Sequence, residues 1–368
     1  MNEPKLNIVI LYGGKTGEHQ VSRVSAGSVI RNIDRSRYKL LLVGIDEEGV
    51  WHLQDETELE KVIAGSDPEI QPGNEVNAMP GRGLGVNGKL LKIDLVFPVL
   101  HGTFGEDGTV QGFLEMIGLP YAGAGVLASA FGMDKVKAKE LWRKEGLSVV
   151  PFIRYSRQDH EAQEVTPEVL FTRWSSELGA PFFVKPCRAG SSVGISKVRR
   201  PEQLAQALDT AFHFDNDLLI ETSINAREIE CSVLGNREIR SFPPGEVISS
   251  HDFYDYSGKY LDPKGARLEI PADLSPASTQ RIRNMAEEAF KALGGQGLAR
   301  VDFFVDRDSG SIFINEVNTM PGFTSISMYP KMCEAGGLSY RELLNELIRL
   351  GLERHSERSR LDLHYGEE

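Results

Sequence analysis

The opening of this 368-residue chain constrains its fold most: an apolar run, paired glycines, a stretch of helical spacing and a second apolar run. Leu6–Tyr12 reads as a buried strand, and GGKTGE (13–18) supplies turn residues. His19–Ile33 puts Val21, Val24, Ala26, Val29, Ile30 and Ile33 near helical spacing, and Tyr38–Ile45 reads as a second buried strand. Strand, glycine turn, helix and strand in that order imply a crossover between parallel strands, so the chain opens as an α/β sheet. At ~100–200 residues per domain, the length suggests two or three domains.

Composition removes several classes of function. The chain carries 41 basic and 53 acidic side chains, a net charge of −12, and no run of Lys or Arg. Such a surface repels a phosphate backbone, which excludes a non-specific nucleic-acid binder. It does not exclude a small anion held locally by a few lysines and backbone N–H groups. No apolar run reaches the ~18 residues of a membrane span, and Ile8–Tyr12 is too short for a signal-peptide core. Three cysteines (Cys187, Cys231, Cys333) form no CxxC, and an odd count leaves one unpaired. The expectation is a soluble, cytoplasmic protein with no membrane partner.

Further along, Ile93–Leu100 reads as a strand leading into HGTFGEDGTVQG (101–112). Met133–Glu145 reads as one helix, Phe182–Lys185 as a strand entering the turn PCRAGSSVGI (186–195), and Pro201–Phe212 as a helix. Strands are expected at Asp217–Glu221 and Glu228–Leu234, a loop at His251–Asp262, a hairpin at Arg300–Val305 with Ile312–Asn318, and a helix around Ser339–Arg354. Two nucleotide signatures fail. Gly83, Gly85 and Gly88 spell G-x-G-x-x-G without a preceding strand or a following helix, and Asn87-Gly88 is a hairpin turn. GKT at 14–16 lacks the earlier glycine of a phosphate-binding P-loop, since position 9 is Val9.

Four groups of residues carry chemistry. On the hairpin, alternation puts Arg300 and Asp302 on one face of their strand, and likewise Glu316 and Asn318 on one face of theirs. A turn centred near residue 309 sets Asp302 opposite Glu316 and Arg300 opposite Asn318. Two carboxylates and an amide oxygen on one face suit Mg²⁺, although a solvated face with ordinary ion pairs has the same composition. The turn Thr319-Met-Pro-Gly322 that follows lets backbone N–H groups approach a ligand. Lys185 ends an apolar strand beside the Gly/Ser loop, as a phosphate ligand would, and Lys135 opens a helix. Glu221 and Glu228 end or begin strands and are either nucleotide contacts or solvated acids. His101 stands at a strand end, where α/β sheets bind ligands, although a lone histidine is often structural.

Together these motifs resemble the D-alanine–D-alanine ligases of the ATP-grasp superfamily, over almost the whole chain. HGTFGEDGTVQG (101–112), GLARVDFFVDRDSGSIFINEVNTMPG (297–322), VKPCRAGSSVG (184–194), GEHQVS (17–22) and FYDYSGKY (253–260) carry the likeness in order. The resemblance implies a Rossmann-like N-terminal domain (1–124) followed by a two-part ATP-grasp fold, with α+β central (125–224) and C-terminal (225–368) subdomains. It implies ligation of two D-alanines at the expense of ATP, with two Mg²⁺ (or Mn²⁺) ions, for peptidoglycan synthesis, by a homodimer. In that scheme Glu18 holds the first D-alanine's amino group, Ser191 and Tyr260 link to Glu18, and His101 lines the same pocket. Lys135, Lys185, Glu221, Ile224, Glu228 and Lys259 bind ATP, and Asp302, Glu316 and Asn318 bind metal. Arg300 and the Gly322 N–H stabilise the oxyanion, while Ser327 and Met328 hold the second substrate's carboxylate. Cys187 and Ala189 depart from common family residues without touching the scheme. Tyr260 favours an amine over D-lactate as acceptor; D-lactate or D-serine remains the alternative.

Overall fold

A computed structural model describes residues 4–162, 165–249 and 266–362. Its N-terminal strands are β1 (Leu6–Gly13), β2 (Tyr38–Ile45), β3 (Trp51–Leu53), β4 (Val76–Met79), β5 (Gly83–Val86), β6 (Lys89–Leu90) and β7 (Leu95–Val99). The first sheet runs β3-β2-β1-β7, with β1 parallel to both β2 and β7 and only the edge strand β3 antiparallel. The expected parallel α/β unit is therefore present. Both faces of β1 are buried, which is why it reads as an unbroken apolar run. Ile8, Ile10 and Tyr12 pack in one core with Ala26, Val29 and Ile30 of the helix His19–Asn32. Leu343, Leu344, Leu347 and Ile348 of the helix Tyr340–Arg358 complete that core, so the last helix among the described residues closes the first sheet. A three-stranded sheet, β4-β5-β6, contains the glycine triplet. Asn87 (φ +51°) and Gly88 (φ +76°) form its turn, both in the left-handed region that a two-residue hairpin requires.

The second sheet, β10-β9-β11-β8, is antiparallel and comprises β8 (Phe152–Ser156), β9 (Phe182–Pro186), β10 (Ser196–Val198) and β11 (Asp217–Thr222). Phe182, Val184, Leu218 and Ile220 face a core with Leu170, Trp174 and Leu208. Alternation therefore turns Lys185 and Glu221 to the opposite face. The third sheet runs β15-β14-β12-β16-β17, formed by β12 (Ala226–Gly235), β14 (Gly245–Ser249), β15 (Ala266–Glu269), β16 (Gly297–Asp306) and β17 (Ile312–Asn318), with β13 (Arg240–Ser241) beside β12. Ile229, Cys231, Val301 and Phe303 pack under the helix Pro276–Ala292, leaving Glu230, Arg300, Asp302 and Glu316 on the other face.

Two local expectations change. The helix read as Met133–Glu145 is Lys135–Lys144; Met133 instead ends a separate helix, Val126–Met133, with the break at Asp134. Asp134 takes an extended conformation and its carboxylate accepts the Lys137 N–H, an N-cap that starts a new helix more favourably than a continuous one could pass. The helix from Pro201 begins as a 3₁₀ turn (Pro201–Gln203) before Leu204–Phe212. The loop read at His251–Asp262, with Lys259 and Tyr260, lies outside the described residues. All three cysteines are free and buried, and among the described residues no helix is long and apolar enough to cross a membrane.

Candidate active site

The site forms where the three sheets meet. From the first sheet comes Glu18, immediately before the helix His19–Asn32, and it accepts a hydrogen bond from the Ser191 hydroxyl 173 residues away. Ser191 (φ +50°) and Ser192 (φ +60°) both adopt left-handed backbone, an uncommon conformation for consecutive non-glycine residues that tends to mark a ligand loop. Gly102 makes room for this contact, because a Cβ there would stand 2.9 Å from Glu18 Oε2. His101 is buried; its Nδ1 lies 3.0 Å from the Met320 carbonyl and 3.5 Å from Glu106 Oε1, and its Nε2 lies 3.2 Å from Ser25 Oγ. Burial disfavours the imidazolium, but Glu106, and more weakly Glu18, more than offset it and raise the His101 pKa. His101 thus ties the end of the first sheet to the turn after β17.

The helix Lys135–Lys144 supplies cations from one face. Lys135 Nζ donates to the Ala189 carbonyl at 2.9 Å and lies 3.4 Å from Glu316 Oε2. One turn later, Lys139 Nζ stands 2.8 Å from Glu221 Oε1. Glu221 Oε2 lies 2.5 Å from Lys185 Nζ. Glu221 is therefore buried between two ammonium groups, unlike the solvated strand end that was one reading of its position. Its backbone pairs with Phe152 and Phe183, and Ile224 lies half-buried in the connection between β11 and β12. Glu228 is exposed on β12, opposite Phe304 and Val247.

The hairpin has the register read from its turn: Arg300 pairs with Asn318 and Asp302 with Glu316. Beyond these pairs the register slips by one residue, Phe303 meeting Ile314, so an irregularity bends the ladder just past the acids. Arg300 Nε lies 2.7 Å from Asp302 Oδ1 and 3.0 Å from Glu230 Oε2. Asn318 Oδ1 is buried and accepts no hydrogen bond among the described residues. An orphan oxygen beside two carboxylates is a hard-oxygen donor set that fits Mg²⁺ or Mn²⁺. Among the described residues, no group of three or more His, Cys, Asp or Glu is placed to hold a metal, so the amide and substrate oxygens would have to complete the set. Past the hairpin, a Cβ at Gly322 would meet Ser327 Oγ at 2.7 Å. Ser327 accepts from the Thr324 N–H at 3.0 Å and precedes the helix Met328–Ala335, where Met328 is buried.

Sequence reading missed Lys139, Glu230, Glu106 and Ser25. The signals were present but weak: Lys139 follows Lys135 by one helical turn, and Glu230 alternates with Glu228 on one strand face.

Residues 7–124 match the family described as D-ala D-ala ligase N-terminus, and residues 141–349 match D-ala D-ala ligase C-terminus. A D-alanine–D-alanine ligase of Treponema denticola is 47% identical over 357 residues, covering 95% of this chain and 96% of the relative. D-alanine–D-alanine ligase A of Escherichia coli K12 is 43% identical, covering 96% of this chain and 97% of the relative. Among solved structures, the D-alanine–D-alanine ligase from Coxiella burnetii superposes with a TM-score of 0.84 at 35% identity, covering 97% of each chain. The VanG D-Ala:D-Ser ligase from Enterococcus faecalis gives 0.83 at 36%, covering 95% of this chain and all of that one. With both halves matched and relatives 43–47% identical over nearly their full length, the chain belongs to the D-alanine–D-alanine ligase family.

Proposed function

We infer that this protein is an ATP-dependent ligase that joins two D-alanines into D-alanyl-D-alanine for peptidoglycan, releasing ADP and phosphate. The observation that carries the site reading is the oxygen triad Asp302, Glu316 and Asn318 on one hairpin, reached by Lys135 and bordered by Arg300. A free carboxylate is a poor acyl donor. Phosphorylation by ATP makes its oxygen a leaving group, and Lys135 and Lys185 offset the charge that moves during transfer. Glu18, which accepts a hydrogen bond from Ser191, would hold the first substrate's ammonium, and His101 would line the same pocket. Two Mg²⁺ (or Mn²⁺) ions held by Asp302, Glu316 and Asn318 would neutralise phosphate oxygens during the transfer. Arg300 and the Gly322 N–H would meet the oxyanion formed when the second amine attacks the acyl phosphate, and Ser327 with Met328 would hold that substrate's carboxylate. Backbone around Glu221 and Ile224 would receive adenine, and Glu228 the ribose. Lys259 and Tyr260 would close over the site and keep water from the acyl phosphate.

The three parts 1–124, 125–224 and 225–368, a homodimeric state and a cytoplasmic location belong to the same reading. Mass analysis of products from ATP, Mg²⁺ and D-alanine, alone and mixed with equal D-lactate or D-serine, tests it. D-alanyl-D-alanine should dominate every mixture. A preponderance of ester, or of the D-serine dipeptide, would move the assignment to the alternative acceptor.

A further inference from the structure

The chemistry above gives no task to Lys139, yet its side chain is only 1% exposed and sits beside the nucleotide residues. It reaches Glu221 Oε1 at 2.8 Å and the Ile314 carbonyl of β17 at 3.4 Å. Glu221 is equally buried, and its second oxygen contacts Lys185 at 2.5 Å. One carboxylate thus serves two lysines. Burial alone would raise the Glu221 pKa, but Lys139 and Lys185 outweigh it and hold the carboxyl below its usual range. Burial pulls Lys139 below its ordinary range, with Glu221 opposing.

A lysine held by an unshared buried carboxylate would be slow to leave it for another anion. Lys185 is the more exposed of the pair, at 10%, and stands near the end of β9, which leads into the Gly/Ser loop. We propose that Lys139 is a positioning residue for the nucleotide. By occupying Glu221 Oε1 it shares that charge, which frees Lys185 to engage an ATP phosphate. It also keeps Glu221 fixed and paired when Lys185 moves, and its contact with Ile314 ties this arrangement to the metal-side hairpin. The inference rests on the assignment of Lys185 to ATP.

The test measures affinity for the non-hydrolysable analogue AMP-PNP with Mg²⁺ by calorimetry, together with KM for D-alanine and kcat. In Lys139→Met, AMP-PNP Kd should rise roughly tenfold while KM for D-alanine stays within about twofold, and Lys139→Arg should recover to within about threefold of the parent. Unchanged AMP-PNP affinity in folded Lys139→Met overturns the proposal, as does equal weakening of AMP-PNP and D-alanine, which would indicate general damage. If Lys139→Met does not fold, the double variant with Glu221→Gln removes the buried anion along with its partner. Its AMP-PNP Kd should then lie within about threefold of Glu221→Gln alone, and a further loss of roughly tenfold contradicts the coupling. Lys185→Met separates the two levels. Native AMP-PNP affinity there sinks the site assignment itself, whereas a loss there with unaffected Lys139→Met sinks only the role of Lys139.

Discussion

Glu221 and Glu316 both meet lysines from the helix Lys135–Lys144, but the protein treats them in opposite ways. Glu221 is enclosed, with one oxygen on Lys139 and the other on Lys185. Glu316 is about a quarter exposed, meets Lys135 at 3.4 Å, and stands opposite Asp302, near an amide oxygen with no hydrogen-bond donor among the described residues. The first acid has its charge answered within the fold and acts as a fixed counter-ion. The second has loose, exchangeable partners and suits a cation that arrives with substrate. A buried charge stripped of its partner is costly to stability, whereas a partly exposed one can change partners more cheaply. The same residue type, met by lysines of the same helix, therefore divides into structure and chemistry according to burial.

Substitutions at the two acids test that division. Glu316→Gln should lower kcat/KM by roughly 1,000-fold, about 4 kcal/mol of transition-state stabilisation, and leave the Tm within a few degrees. Steady-state kinetics and a thermal melt read both quantities, and a large loss of Tm would erase the contrast. Glu221→Ala should do the reverse in kind, removing about 3 kcal/mol of stability in denaturant melts because two lysines lose their buried counter-ion. Ser191→Ala, which removes the brace on Glu18, should raise KM for the first D-alanine by ~30-fold, about 2 kcal/mol for a hydrogen bond to a charged group. Asn318→Ala should weaken the Mg²⁺ dependence of turnover by roughly tenfold without altering KM for D-alanine, which locates the orphan oxygen on the metal side. Smallest is Gly88→Val, at φ +76°. It should cost about 1 kcal/mol of stability and leave kinetics untouched, as suits a hairpin turn rather than a dinucleotide loop.

The open acids were far more legible in the sequence than the enclosed one. Strand alternation and the position of a turn are local properties, so the pairing of Asp302 with Glu316 followed from counting residues. The one-residue slip beyond them did not, because neither strand marks it with glycine or proline. Glu221 was visible only as an acid at a strand end; its burial depends on Lys139, which is 82 residues away in the chain and belongs to a helix packed on a different sheet. Glu18 and Ser191 were brought together by family resemblance alone, since no local pattern joins a helix start to a serine loop 173 residues later. The break at Asp134 was legible in principle from a good N-cap residue, but the apolar pattern runs through it and hides the boundary.

The most direct test of the whole account is ADP formation by the intact chain, with D-alanine and Mg²⁺ each supplied and each withheld, and with dipeptide counted in the same samples. ADP and D-alanyl-D-alanine should appear one for one, and only when both are present. ADP released at the same rate without D-alanine, or dipeptide formed at full rate after the metal has been chelated, would contradict it.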